Sequence, residues 1–225
     1  MKRLIAAGMD AIYQLAPACR RGDRGAWHNV EFTMLEWYRK GAEYRDIMRD
    51  TVELMSALTG KDAAGFKYAE LCVREAYRRF ADWDPWENWD ADRFDFDMAT
   101  KIEPAIKELG GFVFLKDYPV QVASLAKLGG DGAEEKDRFA ERWELYWDGM
   151  ELANCFSELC DEREQRLRFE RAKAARRLLG EADYPLDEDF FGCLPEIGRA
   201  AGVALGVDRL VMMLTRCGEI SDVRA

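Results

Sequence analysis

Residues 29–38, NVEFTMLEWY, constrain the chain more than any other stretch. In an extended strand successive side chains point to opposite faces. Phe32, Met34, Glu36 and Tyr38 then share one face, and Glu31, Thr33, Leu35 and Trp37 the other. A carboxylate thus stands among aromatic side chains on the first face. Just upstream, CRRGDRGAWHN carries Arg20, Arg21, Arg24 and His28, the chain's only histidine. A basic, glycine-containing loop leading into such a strand suits a site that holds an anion beside a flat ring and an amine. An ordinary amphipathic strand next to a solvated loop would show the same pattern.

The flanking run AIYQLA (11–16) reads as a strand, so the two runs are expected to pair as a hairpin with a long loop. Residues 1–7 read as the end of a helix stopped by Gly8. Helical spacing of Tyr44, Ile47, Met48, Met55 and Leu58 predicts a helix over 43–59, with Gly60 as its stop. A second helix is expected over 67–81 and a third over 98–109. Between them, DWDPWENWDADRFDFD is acidic and carries Trp83, Trp86 and Trp89. It suits a surface insertion whose tryptophans fold back on the body, or a patch that docks a partner. GFVFLKDYP is strand-like, and residues 141–159 have the apolar density of one long central strand. A charged helix follows, with Glu162–Arg166 and Glu164–Arg168 at i,i+4. GRAAGVALGVDRLVMMLTR reads as a small-residue strand, a glycine turn and a helix starting near Val207. The order of strands, inserted helices, strands and helix predicts an α+β fold with an antiparallel sheet flanked by helices. The whole chain, 1–225, is expected to be one domain with a helical insertion at about 43–110.

Composition narrows the function classes. With 43 acidic against 33 basic residues the net charge is −10, which argues against a general nucleic-acid binder. No run of about 18 apolar residues offers a transmembrane helix, so no membrane partner is expected. MKRLIAAG lacks a long apolar core and is not a convincing signal peptide. The six cysteines form no CxxC pair, and with one histidine a zinc site is not expected. Reduced thiols in a cytoplasmic protein fit best.

Two further segments carry chemistry. In GMELANCFSEL, Glu151, Asn154 and Glu158 interrupt an apolar run. Buried carboxylates need a metal, a cation or water. Asn154, Phe156 and Glu158 share a face by parity; Glu151 joins them only through a bulge or bend. A half-exposed strand with its polar face in water is the alternative. In GVALGVDR, Gly202 and Gly206 permit close backbone approach, Asp208 is placed to cap the following helix, and Arg209 projects from its first turn, beside a helix N-terminus that favours anions.

Taken in order, HN-x-EFTMLEWY, GMELAN-x-F-x-EL and GVALGVDRLVM resemble the class II aminoacyl-tRNA synthetases of the lysyl type, and among them the paralogues that modify elongation factor P. The resemblance runs over nearly the whole chain. It implies the antiparallel sheet of that family, ATP and Mg²⁺ as cofactors, and roles by matching position. Arg20 matches the arginine on the α-phosphate, and with Arg209 would be catalytic. His28 and Asn29 match an ATP-side pair, Phe32 the adenine-stacking ring, and Gly206 and Arg209 further nucleotide contacts. Glu151 matches the carboxylate near ATP and its magnesium. Glu36, Tyr38 and Glu158 resemble the residues that hold the substrate's side-chain amine, with Asn154 and Phe156 beside them. Ala204 stands where lysyl-tRNA synthetases usually have glycine and the paralogues alanine. That substitution favours (R)-β-lysine over lysine.

The implied reaction is attack of an amino-acid carboxylate on the α-phosphorus of ATP, then transfer of the aminoacyl group to a lysine of elongation factor P. A tRNA acceptor, or a synthetase-like binding module without catalysis, are the alternatives. The family's first motif, which builds its homodimer interface, and an S-P-E segment would lie upstream of Met1, so either the true start lies upstream or the chain is a shortened paralogue whose homodimer interface is incomplete. Gly22 stands where the family has an adenine-contacting glutamate.

Overall fold

In the computed structural model, which describes residues 1–130, 132 and 134–223, one sheet runs through the chain. In chain order the elements are helix α1 (Lys2–Ala6), strands β1 (Ala11–Cys19) and β2 (Glu31–Lys40), and helix α2 (Tyr44–Leu58). Then come β3 (Tyr68–Cys72), α3 (Val73–Ala76) with a π-turn, α4 (Ala91–Asp97), a second π-turn and α5 (Glu103–Leu109). They are followed by β4 (Phe112–Pro119), β5 (Leu128–Gly129), β6 (Phe139–Trp147), β7 (Met150–Ser157), α6 (Glu162–Leu178), α7 (Glu188–Ile197), β8 (Ala200–Gly206) and α8 (Val207–Thr215). The sheet order is β1-β2-β8-β7-β6-β4-β3, with β5 on β6. All pairs are antiparallel except β3–β4. The α+β fold class therefore stands.

The expected hairpin forms with β1 running to Cys19, farther than the sequence pattern suggested, in a register that sets Gln14 opposite Glu36 and Ala18 opposite Phe32. Two expectations need correction. Residues 67–81 are not one helix: Tyr68–Cys72 is an edge strand, held by parallel pairing to β4. Such pairing is non-local, so no short-range pattern announces it. Residues 141–159 are not one strand either, but the two arms of a hairpin. Asp148 and Gly149 both take positive φ (47° and 85°), as a two-residue hairpin turn requires, and Trp147 pairs with Met150 across them.

Packing separates the two faces. Leu35, Trp37, Trp143, Leu145, Cys155, Val203 and Leu205 point to one side, where α2 and α8 supply Ile47, Met55, Leu210 and Met212. Glu43 and Asp46 close a reciprocal capping box at the start of α2. A second cluster packs α3–α5 on Val113, Leu115 and Tyr146, and Trp83, Trp86 and Trp89 fold back onto it. Their ring nitrogens are partly spent inside: Trp83 donates to Asp97 and Trp86 to the Arg138 carbonyl, both at 2.8 Å. The third cluster joins Ile5 of α1, Phe191, Leu194 and Ile197 of α7, and Ala200 of β8, with Tyr38 at its margin.

Gly149 tests the hairpin. A Cβ there would lie 2.8 Å from Lys107 Cγ on α5, in a left-handed backbone that only glycine enters cheaply. Gly149→Ala is expected to cost about 1–3 kcal/mol in a urea unfolding curve, with an unchanged slope.

Candidate active site

The face opposite α2 and α8 carries a cavity of about 360 Å³, within the usual range for small-molecule sites. Its floor is β8. The register sets Ala204 between Glu36 of β2 and Asn154 of β7, and Gly202 between Tyr38 and Phe156; Met34 faces Gly206. These small residues leave room for the flanking side chains to converge. Gly202 is the tightest point, because a Cβ there would overlap the Tyr38 ring.

The strand parity that excluded Glu151 is broken where the sequence reading required it. Leu145 pairs with Ala153 but Tyr146 with Glu151, so Leu152 is an extra residue on β7. This bulge brings Glu151 to the same cavity as Asn154. Arg209, in the first turn of α8, reaches across to it. Its Nη1 donates to the Glu151 carbonyl at 2.7 Å and stands 3.4 Å from the carboxylate, and its Nε donates to the Trp27 carbonyl at 3.2 Å. Burial first, then the charge of Glu144, pushes the Glu151 carboxyl up. Burial, then the Arg209 charge, lowers the pKa of His28, whose Nε2 faces Arg209 Nη2. A neutral ring with its proton on Nδ1 can accept there. Arg20 follows the end of β1; its guanidinium lies 6.0 Å from the Phe32 ring centroid and 3.3 Å from Asp23.

At the other end, Glu36 accepts from Gln14 at 3.0 Å. The Tyr38 hydroxyl is kept protonated by burial and by the charges of Glu158 and Glu36. Arg20, His28, Asn29, Phe32, Glu36, Tyr38, Glu151, Asn154, Phe156, Ala204, Gly206 and Arg209 all line this one cavity. Met34, to which the sequence reading gave no part, lines it too. Glu158 alone among the residues singled out does not. It continues their face by one rung, with its amide on the Ala200 carbonyl at 2.8 Å, but its carboxylate is buried against Lys2. Gly206 and not Asp208 is the N-cap residue of α8; the Asp208 carboxylate accepts from the Thr33 amide at 2.5 Å and fastens β2.

Sequence reasoning missed the support behind Asn154. Glu144 pairs with it across β6–β7, accepting from Tyr118 at 2.6 Å and Tyr146 at 2.8 Å, while Arg142 Nε donates to Asn154 Oδ1 at 3.1 Å. The Asp148–Gly149 turn was the available signal, since together with the extra residue Leu152 it places Glu144 opposite Asn154.

The chemistry is that of a polarised slot. Arg20, Arg209 and His28 surround one end beside an aromatic ring, and Glu36 with Tyr38 closes the other. Among the described residues no cluster of three or more His, Cys, Asp or Glu side chains has the form of a complete metal site. A divalent ion would therefore need ligands of its own, such as phosphate oxygens, in addition to Glu151. No described helix is long and apolar enough to cross a membrane.

Glu158 gives a pH test. Burial, only partly offset by Lys2, raises its carboxyl from an ordinary 4.5 to about 7. Between those values the folded chain holds a proton that the unfolded chain has lost. The resulting stability is full below the lower value and is lost as pH rises through the upper one. Wild type is expected to gain melting temperature relative to Glu158→Gln as pH falls from about 8 to about 5, as thermal unfolding by circular dichroism would show.

Comparison with known proteins gives the chain a family. The family model described as tRNA synthetases class II (D, K and N) matches residues 1–225. The elongation factor P–(R)-β-lysine ligase of Photorhabdus laumondii is 37% identical over 249 aligned positions, covering 100% of this chain and 74% of that protein. The ligases of the same name from Proteus mirabilis and Edwardsiella ictaluri are each 36% identical with the same coverage.

Proposed function

The chain belongs to the class II tRNA synthetases of the D, K and N type, a ligase family, and from that premise we propose that it activates lysine or (R)-β-lysine with ATP and transfers it to a lysine of elongation factor P. The observation that carries this reading is the single cavity in which an arginine pair, an aromatic ring and the Glu36 carboxylate converge. In this reading residues 1–225 form one catalytic domain, with 43–110 as an insertion.

Each step has a residue for it. A substrate carboxylate oxygen bonds to the α-phosphorus while the bridging α–β P–O bond breaks and pyrophosphate leaves. Arg20 and Arg209 hold the charge that develops on the phosphoryl oxygens. Phe32 stacks on the adenine, with the Arg20 guanidinium near its ring. His28 and Asn29 border the nucleotide and Gly206 lets it approach the backbone. Bound Mg²⁺ would neutralise the triphosphate, and Glu151 fits as its protein ligand because its carboxylate is crowded by Glu144 and only distantly met by Arg209. Glu36 and the protonated Tyr38 receive the substrate amine, and Asn154 and Phe156 flank its chain. In the second half, the acceptor amine attacks the acyl carbon, the amide forms, AMP leaves, and the amine's proton passes to solvent. The net charge of −10 favours a protein acceptor over tRNA.

ATP–pyrophosphate exchange with the purified chain tests the reading. Exchange is expected with lysine or (R)-β-lysine, and its absence with both, despite bound ATP, would overturn catalysis. Arg209→Ala is expected to lower exchange by about 10² or more. Ala204 supplies the methyl between Glu36 and Asn154. Ala204→Gly is expected to shift the ratio of kcat/KM for the two isomers toward lysine by about 1–3 kcal/mol.

A further inference from the structure

Behind the amine end of the cavity, next to Phe156 of its lining, the chain buries an amine of its own. Lys2, at the start of α1, sends its Nζ to the Glu158 carboxylate, and the two side chains are 11% and 1% exposed. The ammonium lies 5.7 Å from the centroid of Phe156, a cavity-lining ring, and 5.8 Å from that of Phe190 on α7. Burial and the charge of Glu158 also raise the Cys160 thiol, and the same carboxylate acts on Tyr38. Glu158 is thus electrostatically continuous with the amine end of the cavity, although its carboxylate is not on the cavity surface.

The pair is poorly bonded for its depth. Apart from their mutual contact, Lys2 Nζ and both oxygens of Glu158 have no hydrogen-bond partner among the described residues. An ammonium can donate three bonds and a carboxylate can accept about four. A buried ion pair that serves as architecture is usually held by such further bonds. The Arg142–Glu144 pair in the same sheet has them, from Tyr118, Tyr146 and Asn154. Two aromatic faces around an under-bonded ammonium make a socket for a cation, and little ties it to this particular one.

We propose that Lys2 is a tethered stand-in for the substrate amine: its ammonium occupies Glu158 in the free chain, and an incoming amine must displace it. This rests on the reading of the cavity as a lysine or β-lysine site. A substrate ammonium drawn to this end by Glu36 and Tyr38 and the ammonium of Lys2 repel each other in apolar surroundings, so each disfavours the other beside Glu158. Lys2 is therefore a positioning residue that weakens amine binding and acts through Glu158, with no part in the phosphoryl chemistry.

The test uses the full chain at pH about 8, above the value of about 7 at which Glu158 ionises. Calorimetry compares lysine with norleucine, which lacks the terminal amine, on wild type and Lys2→Met. Lysine is expected to bind Lys2→Met about tenfold more tightly, a gain on the scale of one charge-assisted hydrogen bond, with norleucine unchanged. In pyrophosphate exchange the KM for lysine should fall while kcat holds. A second measurement needs no variant: reductive methylation of Lys2 in wild type, followed by peptide mass spectrometry, should accelerate when lysine is added and not when norleucine is added. It decides the matter where Lys2→Met does not fold. Tighter lysine binding without any exchange would remove the activation reading and keep the tethered amine. Exchange at equal KM in both proteins, with methylation of Lys2 indifferent to lysine, would remove the tethered amine and keep the activation reading. Lysine binding by neither protein overturns both.

Discussion

The site depends on how little β8 projects from one of its faces. Neighbouring strands stand about 4.8 Å apart, so side chains on β2 and β7 can meet over β8 only if β8 offers almost nothing between them. Gly202, Ala204 and Gly206 do this, and Gly202 touches the Tyr38 ring so closely that even a methyl is excluded. The same strand turns Val203 and Leu205, both buried, into the cluster beneath α2 and α8. One alternation of small and branched residues therefore hollows the cavity and anchors its floor. The bulge at Leu152 completes the arrangement, because without it Glu151 would point away from the cavity it now lines.

What was legible in the sequence follows from which forces are local. The β2 face was readable because a two-residue period and an arginine-rich loop are both contained within one short stretch. The need for a bulge at Glu151 was also readable, since parity is simple arithmetic along a strand. The β6–β7 hairpin was hidden by its own apolar density, and with it Glu144, whose place opposite Asn154 exists only once the chain turns at Asp148–Gly149. Strand β3 was hidden because YAELC extends only in answer to β4. Lys2 and Glu158 lie far apart in the chain, and no pattern of spacing connects them. Their contact arises because α1 packs on α7 through Ile5 and Phe191, over the rung of β8 beside Glu158.

Electrostatics then assign different tasks to the acids on this face. Glu144 has Arg142, Glu151 has Arg209, and Glu158 has Lys2, each cation coming from a separate position in the chain. Carboxylates withdrawn from water need such partners, and removing one partner is more costly than removing both. Glu36 differs: it lines the cavity, it forms no ion pair among the described residues, and its hydrogen bond comes from the neutral amide of Gln14. A neutral donor fixes the carboxylate without cancelling its charge. Glu36 is thus the acid whose field reaches the cavity uncompensated.

The opposite end has the opposite sign. Arg20 stands by Phe32, and Phe32 precedes Glu36 by four residues of β2, a separation of roughly 14 Å along an extended strand. A cavity with two arginines at one end and an uncompensated carboxylate at the other orients any ligand that carries an anion and an ammonium at its two extremes. The orientation is set before contact, because both charges act over distances at which hydrogen bonds do not. Such a field brings the anionic end of the ligand to the arginines and its amine to Glu36, with Tyr38 as a donor that cannot compete for the cation because its hydroxyl stays protonated. Specificity among amines of equal charge must then come from shape. Between the two charged ends, the side chains that set the shape are Met34, Ala204 and Phe156, so the floor strand that makes the cavity possible also decides which carbon skeleton fits it.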